Sequence, residues 1–413
     1  MIENLFLIYI MLFSGSATLF YRSPEGLISL LTITLLLFFK NKHKFNKSFY
    51  KIIIVWIIYI ILLYFKFKEF HPYFAIIIPT KFLAGYFLLT HFKKDFFIKF
   101  EKIIYVLSAI SLFFWAWSFF DSQSLLQVLK VIDVSGGYMK SENYANSIVF
   151  TYNTIEGNSE IPRNCGFCWE PGPFSIFIVT AIFFNLARTN FRLKNNNALL
   201  ILLLTLLTTQ STTGILAFFI LCIWFTFNKI KDVRKIIYVV FVVIPFIIVL
   251  FVQIPYLQEK VLKDYTDALQ TEDVVYDYTK RDISIAPTRT TSLVIAWKDF
   301  INNPILGYGG QQKAKWTNKI GGEVWVINGI GNIIAMYGLF GIFFFLLALF
   351  KSTKALSLIY NYNYPYFWVL IILVFAYGFS LIETPVFISI IFFPLMVNLP
   401  MSRNAKKYTP LIT

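Results

Sequence analysis

The sequence predicts an all-α protein, a polytopic transmembrane helical bundle of about 12 spans with two long outer loops containing short amphipathic helices. Three observations predict it. Hydrophobic residues make up 57% of the 413-residue chain and charged residues only 14%, against about half and about a quarter in a soluble domain. Apolar runs recur from one end to the other, as expected where each helix needs roughly 20 apolar residues to cross a bilayer core. Between the runs the charges alternate, basic in one set of loops and acidic in the other. The whole of 1–413 reads as a single integral-membrane domain.

The spans run approximately 4–20, 26–39, 52–65, 72–90, 103–120, 169–187, 198–209, 213–227, 236–254, 324–350, 366–381 and 386–398. The first lacks a basic flank and a small-residue cleavage site, so it is expected to be a retained span rather than a signal peptide. The basic loops carry Lys40, Lys42, Lys44, Lys47 and Lys51, then Lys93, Lys94, Lys99 and Lys102, then Arg188, Arg192 and Lys194, then Lys229, Lys231, Arg234 and Lys235. Lys351, Lys354, Arg403, Lys406 and Lys407 continue the series. The positive-inside rule places these loops and both termini in the cytoplasm. The net charge of +15 is then largely a topological signal, and no nucleic-acid partner is expected. The loops at about 121–168 and 255–323 hold most of the acids and are expected outside.

Residues 198–227, "ALLILLLTLLTTQSTTGILAFFILCIWFTF", fit one long helix or two short ones. A single helix would reach ~45 Å across a ~30 Å core and would put the basic loop 228–235 outside. Two short spans broken at "TTQSTTG" avoid both conflicts, with the polar break buried in protein or lining a wet cavity.

Both outer loops exceed what a connector needs, and three segments in them have helical periodicity. In 122–133 the apolar face is Leu125, Leu129 and Ile132. In 255–270 it is Leu257, Val261, Tyr265 and Leu269. In 290–303 it is Leu293, Ala296, Trp297, Phe300 and Ile301. Such helices lie on a membrane surface or roof a cavity. The third begins beside Arg289, with Thr290 or Thr291 as cap, and stops at Asn303-Pro304 before the flexible turn "GYGG". An arginine beside a helix start suits an anion; pairing with Asp282 or binding of lipid headgroups would equally satisfy it.

The stretch "RNCGFCWEPGPF", 163–174, combines a C-x-x-C with Arg163 and Glu170 at the mouth of a span. A zinc site needs four ligands. The remaining cysteine, Cys222, lies within a span, and His43 and His91 are on the other side, so no metal is expected. Cys165 and Cys168 fit best as small apolar fillers, with a strained disulfide as the alternative. Pro171 and Pro173 can open the first helical turn. Charges buried at such a boundary are paired or used, so Arg163 and Glu170 form either an ion pair or part of a working site. Lys81, near the middle of the fourth span and two residues after Pro79, is a functional candidate by the same rule. Pairing with Glu383 or with carbonyls freed near Pro79 would also account for it.

Three segments resemble the bacterial O-antigen polymerase and O-antigen ligase superfamily: "PRNCGFCWEPGPFSIFIV", "TLLTTQSTTGILAFFI", and "RTTSLVIAWKDFINNPILGYGG" followed by "NGIGNIIAMYGLFG". The likeness covers roughly 160–345. It implies an integral-membrane glycosyltransferase that polymerises lipid-linked repeats of O-antigen or capsular-type polysaccharide on the outer face of the bacterial inner membrane. Its donor and acceptor would be undecaprenyl-diphosphate-linked glycans, with membrane lipid, a chain-length regulator and a flippase as further partners. Ligases of the superfamily carry a histidine and then a polar residue ahead of G-x-x-G. Here Asn328, Gly338 and Gly341 match, but Ile327 stands at the histidine position, which favours a polymerase. In that chemistry Glu170 is the first candidate catalytic base and Glu323 the second. Arg163, Arg289, Lys81 and Arg281 are candidates for the diphosphate, since arginine forks match phosphate oxygens. Neither outer loop has a D-x-D to hold a metal, so no cofactor is expected, and single displacement would invert the anomeric centre. An O-antigen ligase, a polysaccharide flippase or other transporter, and a non-catalytic assembly protein are the alternatives. No internal repeat of the transporter kind is visible.

Overall fold

A computed structural model describes residues 2–16, 23–135, 143–153, 162–230, 262, 265–271, 287–319, 324 and 326–397. The chain forms α1 (Ile2–Gly15), α2 (Pro24–Lys40), α3 (Lys47–Phe67), α4 (Pro72–Phe92), α5 (Asp95–Phe120) and α6 (Ser122–Val131). A short antiparallel hairpin follows, β1 (Tyr144–Asn146) with β2 (Thr151–Asn153), pairing Ala145 with Tyr152. Then come α7 (Pro171–Arg188), α8 (Asn197–Thr209), α9 (Thr212–Lys229), α10 (Arg289–Asn302), α11 (Gly329–Tyr360), α12 (Tyr366–Gly378) and α13 (Pro385–Met396). Six of these are long and apolar enough to cross a membrane, and four shorter helices are also apolar. The expected span 236–254 lies outside the described residues.

The helices are polytopic in the manner the charges predict. At one end Arg188 forks onto Glu101, Nε to Oε2 at 2.8 Å and Nη2 to Oε1 at 2.6 Å. At the same end the His43 and His91 rings meet at 3.4 Å, and Asn228 Nδ2 donates to the Asn363 carbonyl at 3.2 Å. Among the described residues the basic connections therefore gather there, and the described parts of the long loops, 121–135, 143–153, 162–168 and 287–319, lie at the other end. Helix α7 is the axis. Its apolar window is 89% buried, whereas that of α3 is 17% buried and faces outward. Between lipid-solvated helices packing rather than water expulsion drives association, and small residues allow close approach. Gly85 of α4 does this: a Cβ there would stand 2.9 Å from Ser389 Oγ of α13.

The break at "TTQSTTG" forms as expected. Gln210 adopts a left-handed conformation (φ 48°) at the end of α8, and Ser211 caps α9 by accepting from Gly214 N. Asn196, before α8, and Trp224, near the end of α9, both lie at the basic end. Asn196 bonds Asn185, and Trp224 packs on Phe191. The pair is thus a hairpin of two short helices. At 1.5 Å per residue α8 is only about 20 Å long, so its polar turn lies below the level that full spans reach.

Several expectations need correction. The span expected from 324 starts later, since α11 begins at Gly329, with Asn328 as its cap, and continues to Tyr360. The β1–β2 hairpin was not foreseen. In α6, Leu125 and Leu129 are buried but Ile132 is 51% exposed, because the helix ends one residue earlier. Of the 255–270 segment, Tyr265 and Leu269 are exposed, while Leu257 and Val261 lie outside the described residues. Helix α10 is rotated from its expected face. It buries Thr291, Ser292, Ile295, Ala296 and Asp299 and exposes Trp297 and Ile301. The reason is hydrogen bonding: Asp299 Oδ1 accepts from Trp316 N at 2.6 Å, and Ser292 Oγ accepts from Ile327 N at 3.3 Å. Apolar periodicity alone misleads where polar groups have fixed partners inside.

The end of α10 is spliced into α11. Gly338 is non-helical (φ 61°, ψ −154°) and kinks α11, which frees backbone groups that must be satisfied in an apolar setting. The 303–310 loop satisfies them. Tyr308 N and Gly309 N donate to the Ala335 and Met336 carbonyls, and Leu339 N and Phe340 N donate to those of Pro304 and Ile305. Positive φ at Gly307, Gly309 and Gly310 makes the turn. The G-x-x-G glycine at 338 is therefore architectural, since a Cβ there would come within 2.6 Å of Gly307 N.

Candidate anion site at converging helix starts

At the end opposite the basic loops, Asn164 organises the 163–170 segment. It is fully buried. Its backbone N donates to the Thr208 carbonyl at 2.9 Å, and its Nδ2 donates to Ser111 Oγ and Thr208 Oγ1. Its Oδ1 accepts from Gly166 N. This clamp sets Arg163 against the break between α8 and α9. Arg163 Nε and Nη2 each approach a carbonyl at 3.4 Å, those of Thr209 and Gln210. The C-terminal carbonyls of α8 thus hold the guanidinium.

Arg289 is held in the same manner by another helix end. It opens α10, whose cap Thr288 accepts from Thr291 N, so Thr290 and Thr291 are not the cap. Arg289 Nε donates to the Gly378 carbonyl at the end of α12, at 3.0 Å. Asn328 Nδ2 donates to the Arg289 carbonyl at 3.3 Å while its Oδ1 caps α11 at Gly331 N. One asparagine therefore ties the starts of α10 and α11 together.

Glu170 precedes α7 without capping it, and Pro171 opens the helix. The carboxylate Oε2 lies 3.9 Å from Arg289 Nη2, with side chains 23% and 20% exposed. The ion pair joins Glu170 to Arg289 rather than to Arg163, the partner weighed from sequence. Gly172 leaves room for it, as a Cβ there would stand 3.3 Å from Arg289 Nη2. The first turn of α9 completes the group. Ser211 Oγ bonds Ser175 Oγ at 3.0 Å, Gly214 packs on Ser175, and Thr213 packs against Gly378.

The starts of α7, α10 and α11 therefore meet at Arg289, and α9 starts at the turn that holds Arg163 and is bonded to α7. Unsatisfied N–H groups and helix dipoles make each start electropositive, so the arrangement suits a multiply charged anion. Glu170 and Arg289 meet directly, and Arg163 is held at the turn between α8 and α9. Lys81 is buried on α4, 7% exposed, one turn before Gly85, where α4 packs on α13. Glu383 accepts from Asn332 Nδ2 at 2.7 Å. Arg281 and Glu323 lie outside the described residues. Cys165 and Cys168 are buried and are not joined by a disulfide. Cys168 and Phe167 pack against Gly15 of α1, and burial pushes the Cys168 thiol well above its usual range. Among the described residues, no group of three His, Cys, Asp or Glu side chains could hold a metal. Asn164 was missed from sequence. Its one signal is a polar residue locked between an arginine and a small apolar run.

The fold defines a class, a multi-pass helical membrane protein, and the two arginines at one end make a candidate anion site. Residues 198–346 match the family model described as O-antigen ligase, which supports a membrane protein of the O-antigen polymerase and ligase type, a glycosyl-transferring class. No curated protein and no solved structure matches. The matched region holds α8, α9, α10 and the start of α11. Arg163 and Glu170 precede it in sequence, and both contact it, through Thr209 and Gln210 and through Arg289.

Proposed function

We propose that this protein polymerises undecaprenyl-diphosphate-linked repeat units of an O-antigen or capsular-type polysaccharide at the outer face of the inner membrane. The observation that carries the reading is the pair of guanidiniums, each anchored by the carbonyl end of a helix, Arg163 on α8 and Arg289 on α12. The leaving group is a diphosphate, which needs positive charge rather than a proton. Both arginines have donors beyond those engaged by the protein, and preorganised donors of this kind stabilise developing charge without reorganisation. Glu170 takes the proton from the acceptor hydroxyl. The hydroxyl oxygen bonds to the anomeric carbon as the bond from that carbon to the diphosphate oxygen breaks, and the electron pair leaves with the diphosphate. One displacement inverts the centre. In this reading, by the positive-inside rule, both termini are cytoplasmic. A flippase delivers the repeats and a chain-length regulator limits the product.

Ile327 at the position where ligases carry histidine favours polymerase over ligase. Its backbone N donates to Ser292 Oγ, and its side chain offers no proton-transfer group. The test is purified protein with a synthetic lipid-linked repeat. A ladder of longer lipid-linked chains supports the proposal. Transfer of glycan only to added lipid A core would indicate a ligase, and movement across the bilayer without elongation a transporter.

A further inference from the structure

Below Arg289 an apolar groove runs down the outside of the bundle between α9 and α12. It has a volume of about 290 Å³ and is lined by Leu216, Ile220, Leu370, Leu373, Val374 and Tyr377. Leu216 is 51% exposed and Leu370 48%, so the groove opens sideways. From Leu370 to Tyr377 it follows roughly 10 Å of helix, the reach of the first few isoprene units of a polyprenyl chain. Its upper end is continuous with the anion site. Tyr377 OH and Thr290 Oγ1 share a hydrogen bond at 2.7 Å, and Gly378, the next residue, supplies the carbonyl that holds Arg289 Nε.

We propose that this groove binds the diphosphate-proximal isoprene units of the lipid-linked substrate, which fixes the lateral side from which it enters. The inference rests on the function proposed above. A polyprenyl diphosphate joins a highly charged head directly to a methyl-branched apolar chain. Here a cationic site lies directly above an apolar channel, and the Thr290–Tyr377 bond marks the boundary between them. The channel gives the head a fixed orientation, which is what aligns a leaving group for displacement. An ordinary phospholipid has a glycerol ester linkage between phosphate and chain, so its chains would begin further from the arginines.

The test uses the full chain in phosphatidylcholine vesicles with a geranyl diphosphate analogue carrying a diazirine at its tail. Cross-links should map to α9 and α12. Excess undecaprenyl diphosphate should lower labelling at least about tenfold, and the same addition of phosphatidylglycerol should not. Leu216→Trp and Leu373→Trp, which fill the groove from opposite walls, should each lower it about as much. Leu200→Trp, on the exposed face of α8 (57% exposed), should leave it unchanged. Labelling elsewhere, equal competition by phosphatidylglycerol, or indifference to both tryptophans overturns the inference. If neither tryptophan variant folds, the competition on the unaltered chain decides. Elongation is measured on the same vesicles. Groove labelling without elongation retains the groove and rejects the polymerase, whereas elongation with labelling elsewhere does the reverse.

Discussion

Replacing Arg289 by alanine separates a working site from a structural ion pair. In the folded protein its Nε is committed to the Gly378 carbonyl at 3.0 Å. Its contact with Glu170 is loose, 3.9 Å between partly exposed groups. Losing the loose pair and the Gly378 bond should cost about 2–3 kcal/mol of stability, so Arg289→Ala should still insert and purify folded, with a lower unfolding temperature. Loss of one preorganised donor to a developing oxyanion costs about 3 kcal/mol, over a hundredfold in rate. The elongation rate per folded molecule should therefore fall by that factor. Arg289→Lys should rescue poorly, because a single ammonium cannot hold the Gly378 carbonyl and grip two phosphate oxygens together. The assay is the elongation rate of a synthetic lipid-linked repeat by purified protein, with thermal unfolding of the same sample. If Arg289→Ala elongates at the parental rate, the diphosphate is not bound here.

Asn164→Ala should leave buried partners at Ser111, Thr208 and Gly166 unsatisfied, at about 1–3 kcal/mol for each unmade bond. It should lower both the unfolding temperature and elongation; unchanged values for both would show that Arg163 does not depend on the clamp. Gly338→Ala forces a Cβ into the splice at positive φ, a strain of about 1–3 kcal/mol before the clash is added. It should raise protease cleavage at 303–310, and parental resistance would contradict the architecture. Cys165→Ser with Cys168→Ser should lower stability, since two hydroxyls enter an apolar site, yet keep the elongation rate per folded molecule; selective loss of rate would give the thiols a role. Lys313→Cys, at a side chain 87% exposed, should be modified by an impermeant maleimide on intact spheroplasts. Lys194→Cys should react only after permeabilisation, and the opposite result would invert the topology.

The sequence carried the fold through long-range regularities. Apolar runs located the helices, and the charge alternation required an even crossing at 198–227, which resolved the α8–α9 hairpin against a single long helix. Residues whose role depends on a distant partner were not legible. The buried face of α10 is set by Trp316 and Ile327 rather than by its own periodicity. The splice at Gly338 needs the 303–310 loop, more than 25 residues earlier, and no local pattern announces that contact. In the site, Arg163, Glu170 and Arg289 were visible as charges at helix mouths. Their placement was not, because it depends on carbonyl ends of α8 and α12 that carry no side-chain signature. Asn164 was overlooked because its four hydrogen bonds are all to residues outside its own segment or to the next turn.

The central claim is that the diphosphate lies between Arg163 and Arg289. A cryo-electron microscopy structure of the full chain with undecaprenyl diphosphate in nanodiscs tests it most directly. The account predicts both phosphates within hydrogen-bond reach of the two guanidiniums, at the starts of α7 and α9. Phosphate density at Lys81 on α4, or anywhere that leaves Arg163 and Arg289 without contact, would contradict it.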